Sequence, residues 1–599
     1  MIYESSYDSG RLPYKPDLAR GHWTKSSDFI FTGISLAFRL DVFSIAWMAF
    51  TYAGCASVIP FVISLFLFVV PLFVMQSFMG QFSSSGFISA FRIAPLFKGI
   101  GYISLAVNLG ALTYYSVFAA VPLVYLFHSL RPTLPWSCEG LKSWSYNFTE
   151  NDMRHLCHIL SNETLPKNDF TWFVTHEIPS NLFLKSRFNH MELFEPNSEG
   201  FFISWEVLLC TLLTWTLITG LFYKYNSLEK LSNVLRYGIF STFVLLLIAV
   251  LRFALVPKDP LNSIYDFFIP SWDTFLNGFP TVGIFVISAY GVGWGTIISL
   301  ASFNKFKTKL IQNSWTICVG QMLIFLSFAY IVYVTDNYYD EIKNTYNSEH
   351  SSSTVYINKL WILFLSTGSV MADMSWPNLW CILYYGMLLL TALITITVSL
   401  MSTLQSIFDA FEEFRSRKTE VTLIVIGFLC FSSLYTCSNK GVFLHVIFTN
   451  DTVVTQAALN LLIFFVVLWV YGRVRFQRDL EFMLSQSFST WKIYMLRFVS
   501  PLCLILLLLA ALFISLLYHH AGTVVVQIAA LIFIVLPWLY VPGYMVYIML
   551  QTTGTFKTRF KRCCRPTDWY PMELEDRQRY EQTMHNTDMT HQLDEETAT

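Results

Sequence analysis

Three glycines fall within five residues at GVGWG, Gly291 to Gly295, in the middle of an apolar segment running from Phe279 to Phe303. Glycine is poor helix material. Lipid offers no partner for freed backbone groups, so such a break must face protein or a watery cavity. An earlier apolar segment, Phe31 to Phe50, is also interrupted at mid-depth, here by Arg39 and Asp41. Charges at that depth are costly and mark a pathway or a site. Two interrupted apolar segments, in comparable positions of two halves of one chain, point to a solute site at mid-membrane.

The rest of the chain supplies the membrane. Hydrophobic residues make up 54% of the 599 residues and charged residues only 13%. The mean hydropathy is +0.50, far from that of a soluble domain. The net charge of -1 suggests no nucleic-acid partner. Met1 to Ser27 is polar and carries no apolar core, so no cleavable signal peptide is expected.

Twelve spans of about 20 residues each are predicted. They run over Phe29–Phe50, Ser57–Met79, Ile100–Ser129, Phe201–Phe222, Val234–Val256, Phe279–Phe303, Ser314–Val334, Leu379–Thr403, Val421–Cys437, Val453–Tyr471, Phe498–Tyr518 and Val524–Leu550. A further apolar stretch, Val355 to Val370, is followed closely by Asp373, Trp376 and Pro377 and reads as a loop helix. The domain reading is a segment 1–28, a twelve-helix body 29–551 with a large outer loop 131–200, and a tail 552–599.

Short-loop charge sets the orientation. Lys224, Lys230 and Arg236, then Lys305, Lys307 and Lys309, then Arg473, Arg475 and Arg478 all fall on the side expected to hold both termini. That side is therefore read as cytoplasmic. The N-x-[ST] sequons at Asn147, Asn162 and Asn450 fall on the opposite side. Of eleven cysteines, most lie in the spans as small buried hydrophobes. Cys138 and Cys157 lie in the oxidising outer loop, where a disulfide is expected. No Cys/His spacing reads as a metal site. Cys563 and Cys564, in KRCCR, read either as palmitoylation sites or as part of a plain basic juxtamembrane segment.

An ordered series of motifs identifies a resemblance. RGHW (Arg20 to Trp23), MGQF (Met79 to Phe82), APLFKGIGY (Ala94 to Tyr102) and LPWSC (Leu134 to Cys138) come first. SAYGVGWG leading to ASFNKF (Ser288 to Phe306), WVYGRVRFQRDLEFML (Trp469 to Leu484), RFVSP (Arg497 to Pro501) and PTDWYP (Pro566 to Pro571) follow. In combination, from Arg20 to Pro571, the chain resembles the neurotransmitter:sodium symporter family, the solute carrier 6 type with the LeuT fold. The resemblance implies an all-α membrane protein of twelve helices, a five-plus-five inverted repeat with broken helices one and six, plus two extra helices. It implies a solute bound at mid-membrane and uptake driven by sodium, often with chloride, through alternating access.

The chain departs from the family at the site itself. The family's G-N-V-W-R-F-P becomes Leu40-Asp41-Val42-Phe43-Ser44-Ile45-Ala46, so the outer-gate arginine is Ser44. The family's F-S-L-G becomes Ser288-Ala289-Tyr290-Gly291, placing the sodium-binding hydroxyl on Ala289. The sixth-helix glutamine linked to chloride becomes Phe285, and the seventh-span asparagine becomes Gln321. G-L-D-S becomes Ala392-Leu393-Ile394-Thr395, so the acidic residue of the second sodium site is Ile394. Sodium, like other hard cations, needs about six oxygen ligands. The second site is therefore expected to be weak or lost, and the first to be altered, with Asp41 and Gln321 as remaining oxygen donors. Chloride is not expected. Arg39, two residues from Asp41, is read either as a built-in cation in place of sodium or as the neutralising partner of Asp41.

Other family features are kept. Arg20, Trp23 and Asp409 match the cytoplasmic gate, and Tyr115, beside Tyr114, matches the third-helix tyrosine at the solute. The expected solute-binding set is Arg39, Asp41, Tyr115, Ser288, Gly291, Trp294 and Thr395, with Trp294 on the lower wall. Phe38 stands where monoamine carriers have an aspartate, which disfavours a monoamine. An amino acid or related small solute is the expected substrate, since half-helix N-termini attract a carboxylate. The competing reading is a transport-inactive family member acting as receptor, accessory subunit or regulator. No nucleophile–base pair, metal motif or phosphate loop suggests an enzyme, and GVGWG lacks the strand and acidic residue of a dinucleotide fingerprint. The predicted location is the plasma membrane, with both termini cytoplasmic.

Overall fold

The computed structural model describes residues 14–137, 139–140, 179–188, 203–269, 283, 286–291, 294–346, 359–438, 452–518 and 535–583. Among these the named elements are all helices, joined by turns, and an isolated bridge pairs Ile203 with Ser438. The predicted first span is two helices, α1 (Ser26–Ser35) and α2 (Leu40–Ala53). They are separated by a 3-10 turn, Leu36–Phe38, and by Arg39, whose backbone is extended at φ -64°, ψ 137°. The span predicted at GVGWG is broken too. Residues 286–289 are helical, Gly291 and Gly295 adopt φ of +62° and +79°, and helix resumes as α9 (Thr296–Ala301).

The remaining elements are, in chain order, α3 (Cys55–Ser83), α4 (Gly99–Ser129), α5 (Pro179–Phe188), α6 (Trp205–Lys224), α7 (Leu228–Phe253) and α8 (Pro260–Phe268). After α9 come α10 (Leu310–Tyr346), α11 (Lys359–Ala372), α12 (Pro377–Ala410), α13 (Lys418–Leu434), α14 (Thr452–Phe465), α15 (Ser500–Tyr518), α16 (Tyr540–Gln551) and α17 (Phe556–Cys564). Nine helices among the described residues are long and apolar enough to cross a membrane. The first predicted span is not among them because its break divides it. The sixth and twelfth lie partly outside the described residues. The stretch read as a loop helix is α11, of 14 residues. Several helices outrun their predicted spans: α10 and α12 reach 37 and 34 residues, carrying polar turns past the apolar core.

Burial sorts the helices. In its most apolar stretch α4 is 78% buried, whereas α7 is 28% buried. So α4 is central and α7 peripheral, with Phe240, Leu247 and Leu251 facing outward. On a soluble protein such an apolar face would be an association hazard; in a bilayer it meets lipid. Prolines are accommodated by local unwinding. Pro71 follows a π-turn at Leu65–Val69, and Pro501 follows one at Met495–Val499. Pro71 has no N–H for the carbonyl of Leu67, four residues earlier. Ser500 Oγ donates to that oxygen at 2.5 Å, tying α15 to α3.

The described leading segment and the segment after α17 meet at one end of the bundle. Tyr14 N donates to Asp568 Oδ2 (2.9 Å), Arg92 Nη1 to the Asp568 carbonyl (3.1 Å), and Tyr580 OH to Asp479 Oδ1 (3.0 Å). Cys563 is buried against Leu96 and Ile548, so of the KRCCR cysteines only Cys564 is partly exposed.

Close approach of α3 and α9 depends on Gly80, where a β-carbon would collide with the backbone carbonyl of Ile298. Gly80→Ala is expected to cost about 1–3 kcal/mol or more through overpacking. Gly427→Ala, with open space around it, is the control. Thermal unfolding in detergent should separate the two; equal stability would mean that the α3–α9 contact yields.

Candidate functional site

Ending α1 at Arg39 frees backbone groups inside an apolar body, and the Arg39 side chain occupies the gap. It is 6% exposed. Its Nε and Nη2 donate to Asp41 Oδ1 and Oδ2 at 3.1 and 2.9 Å, a forked pair. Nη2 also donates to the Ser288 carbonyl at 2.7 Å, on the other broken segment. One guanidinium thus joins both breaks. Asp41 lies in the first turn of α2, where an anion is favoured by the helix dipole. A β-carbon on Gly291 would lie 3.6 Å from Arg39 Nη1 and 3.4 Å from Leu36 Cβ. With φ at +62°, that position suits glycine.

The second break is held from two sides. Gln456, on α14, donates from Nε2 to the Ile287 carbonyl (3.2 Å), and its Oε1 accepts from Ser288 Oγ (3.0 Å). On the far side of the glycines, Asn108 of α4 donates to the Trp294 carbonyl (2.6 Å) and accepts from Thr296 Oγ1 (3.5 Å). Tyr115 and Tyr114, also on α4, are buried within electrostatic reach of Arg39 and Asp41. The structure therefore gathers Arg39, Asp41, Tyr115, Ser288 and Gly291 into one locus, and links Trp294 to it through α4. Phe38 does not belong to this locus; its ring packs on Phe243 and Phe328, with centroids 5.1 and 6.5 Å away.

The positions matched to sodium ligands do not assemble a cage of oxygens. Gln321 is buried on α10 and donates from Nε2 to the Gly33 carbonyl at 2.7 Å, while its Oε1 has no hydrogen-bond partner. Thr395 Oγ1 is likewise buried without one. Ile394 is buried, and its Cδ1 lies 3.7 Å from where a β-carbon on Gly238 of α7 would stand. Ala289 is buried and offers no side-chain oxygen. Both carboxylate oxygens of Asp41 accept from Arg39. These residues fit a hard cation poorly, leaving the orphaned oxygens of Gln321 and Thr395 as donors.

At the end where Tyr14 meets Asp568, the three predicted gate residues come together. Arg20 Nη1 pairs with Asp409 Oδ2 at 3.3 Å, with the side chains 6% and 0% exposed. Arg20 also donates to the Ser84 carbonyl and to Ser302 Oγ, and stacks over the Phe303 ring at 5.0 Å. Asp409 accepts from Gly86 N (2.7 Å) and Gln405 Nε2 (2.9 Å). Trp23 Nε1 donates to the Leu300 carbonyl at 2.9 Å. The segment before α1 is tied further by Asp17, whose Oδ2 accepts from Lys418 Nζ at 2.5 Å. Burial alone would raise the Asp17 carboxyl, but the lysine hydrogen bond and charge outweigh it and hold it below its ordinary range. A cavity of about 520 Å³ adjoins this gate, lined by Gly21, Thr24, Leu228, Gln405 and Phe408 among others.

Cys138, Cys157, Asn147, Asn162, Asn450 and Phe285 lie outside the described residues, and the Ser44 side chain is likewise not described. Sequence reasoning missed Asn108, Gln456 and Gln405. A polar amide in or beside an apolar span was the available signal, but nothing in sequence paired any of them with its partner.

The family model described as the sodium:neurotransmitter symporter family matches residues 20–552. The chain is 25% identical over 592 residues to the human sodium- and chloride-dependent neutral and basic amino acid transporter B(0+), covering 92% of this chain and 89% of that one. It is 24% identical to human sodium- and chloride-dependent creatine transporter 1, covering 93% and 87%. It is also 24% identical to the Xenopus laevis sodium- and chloride-dependent glycine transporter 2, covering 92% and 72%.

The Arg39–Asp41 geometry makes a stability prediction. Arg39→Gln leaves the partly buried Asp41 carboxylate, 24% exposed, without its cation and should destabilise by about 1–3 kcal/mol, whereas adding Asp41→Asn should recover much of that loss. Thermal unfolding of the singles and the double decides it; additive losses would show that the two charges act independently.

Proposed function

The chain belongs to the sodium:neurotransmitter symporter family, and from that premise we propose that it is a secondary transporter of the plasma membrane, carrying an amino acid or related small solute by alternating access. The relatives are named as transporters, which sets enzymes aside. The observation that carries the reading is the facing pair of helix breaks, bridged by Arg39 at Ser288 above a closed Arg20–Asp409 gate. The body is read as twelve helices, residues 29–551, in a five-plus-five inverted repeat with two added helices. Residues 1–28 and 552–599 are cytoplasmic, so the end where Tyr14 meets Asp568 is the inner end. The adjoining cavity is then the mouth of the release path.

The substrate reading follows the chemistry of the breaks. Half-helix N-termini and Arg39 Nη1, beside Gly291, favour a carboxylate. Tyr115 offers a phenolic hydrogen bond at the same locus, and Trp294 and Thr395 complete the expected set. The amino acid, creatine and glycine names of the relatives agree with a small zwitterion or its analogue.

Sodium coupling is read as weakened. The relatives are named as sodium- and chloride-dependent, so sodium belongs to the starting expectation, and those names lend no support to the expectation that chloride plays no part. Against a strong sodium site stand Ile394, Ala289 and the engagement of both Asp41 oxygens by Arg39. The guanidinium then holds the two breaks together as a resident cation. That same pin favours a second reading, a transport-inactive member serving as a receptor or accessory subunit, because a fixed cation across both breaks opposes their separation.

Uptake of labelled amino acids into cells expressing the protein tests the reading. Transport of at least one is expected, with most of the rate retained when sodium is replaced by an organic cation. A steep fall without sodium would mean that Gln321 and Thr395 still build a working ion site. No uptake across the panel, with the protein at the surface, would favour the inactive reading. Asp409→Ala leaves Arg20 unpaired and should raise cytoplasmic cysteine labelling inside the gate; unchanged labelling would remove the gate assignment.

A further inference from the structure

The half-helix α1 is held on two sides at the inner end, and only one of them is the Arg20–Asp409 gate. Asp28, at the third position of α1, is 2% exposed. Arg236 of α7 grips it with a fork: Nε to Oδ1 and Nη2 to Oδ2, both at 2.6 Å. These contacts are shorter than the 3.3 Å of Arg20 to Asp409. Asp28 Oδ2 also accepts from Lys25 N at 3.0 Å, capping α1. One turn earlier Thr24 Oγ1 and Ser232 Oγ lie 3.2 Å apart, and a β-carbon on Gly21 would lie 3.7 Å from Leu228 Cβ. A line of contacts therefore stitches the start of the first broken helix to α7.

The two attachments oppose different movements. Arg20 and Trp23 hold the segment before α1 to α9, α12 and the turn after α3. Asp28 holds α1 to α7. The cavity of about 520 Å³ is lined both by Gly21, Thr24, Leu228 and Leu231 and by the gate residues Arg20 and Gln405. It therefore adjoins both attachments, and widening it between α1 and α7 means parting the ion pair. The pair is built to part reversibly. The Arg236 side chain is 17% exposed and meets water as the contact opens, while Asp28 keeps its capping hydrogen bond to Lys25 N. A charge-assisted fork with one hydrated partner suits a contact that is made and broken.

We propose that Asp28 and Arg236 form a second latch of the inner gate, one that must part for α1 to leave α7 and open the cavity. The proposal rests on the transport reading. Its test does not require a substrate, so the two fail separately. Met401 lines the cavity. Met401→Cys in inside-out membrane vesicles is labelled with a membrane-impermeant maleimide, and the background rate of the protein that keeps Met401 is subtracted. Asp28→Asn and Arg236→Gln, each added to Met401→Cys, should speed labelling about tenfold. The reversed pair, Asp28→Arg with Arg236→Asp, should return the rate to within about twofold of the parent. A role confined to folding would not predict rescue of accessibility by reversal. Asp409→Ala, which opens the first gate, shows that the assay responds.

Singles that label at the parent's rate while Asp409→Ala labels faster would overturn the latch. So would a reversed pair as accessible as the singles. Where the singles fail to reach the membrane, Arg236→Lys keeps the charge but loses the fork. An intermediate rate in that variant supports the latch, and the parent's rate overturns it. Labelling that follows this pattern in a protein that takes up nothing would uphold the latch and remove the transport reading.

Discussion

An interrupted helix inside an apolar body must find partners for the backbone groups it frees, and here one guanidinium supplies much of the answer. Arg39 spans from Asp41, on its own segment, to the Ser288 carbonyl on the other. Desolvating a guanidinium is expensive, so it persists only where its donors are met by acceptors already fixed in place. That requirement runs outward. Ser288 is fixed by Gln456, and the far side of the second break by Asn108, so α14 and α4 become parts of the site without contributing a charge. The polar residues of this membrane core are thus arranged by the breaks they serve.

At the end where Tyr14 meets Asp568, polar contacts are dense: Arg20, Asp409, Gln405, Ser302 and the amide of Gly86 form one buried cluster. The tail adds Asp568 and Tyr580, and the leading segment adds Asp17. A closed gate of this sort gains strength from low dielectric and loses it as water enters. Such a cluster is firm when shut and yields once hydrated, which is the behaviour the proposed alternating access needs.

The ion sites carry the clearest consequence of sequence divergence. A strong sodium site needs oxygen donors converging on one point. Here Ile394 and Ala289 bring carbon, and Asp41 is engaged by a cation of the chain's own. Gln321 uses its amide nitrogen to hold Gly33 of α1, so its position serves the broken helix even where its oxygen stands unpartnered. Gln321, which the resemblance matches to an ion ligand, thus holds α10 to α1 in this chain.

The sequence by itself determined that this is a helical membrane protein, where its helices break and which family it resembles. Those facts are local: glycine and charge inside apolar runs carry their meaning wherever the chain folds. It also made the Arg20–Asp409 pair legible, because the resemblance matched both residues. What only tertiary structure decided is partnership across hundreds of residues. Arg39 and Asp41 are neighbours in sequence, but nothing there showed that Arg39 reaches Ser288. Asn108 and Gln456 were polar residues within apolar spans, and Asp28 and Arg236 were charges at span ends, none of them paired by anything in the sequence. Phe38, standing where monoamine carriers have an aspartate, packs on Phe243 and Phe328, which sequence alone did not show. The physical reason is that a helix presents every side chain at a calculable angle to its own axis, while the face that meets a given neighbour is set by how whole helices pack.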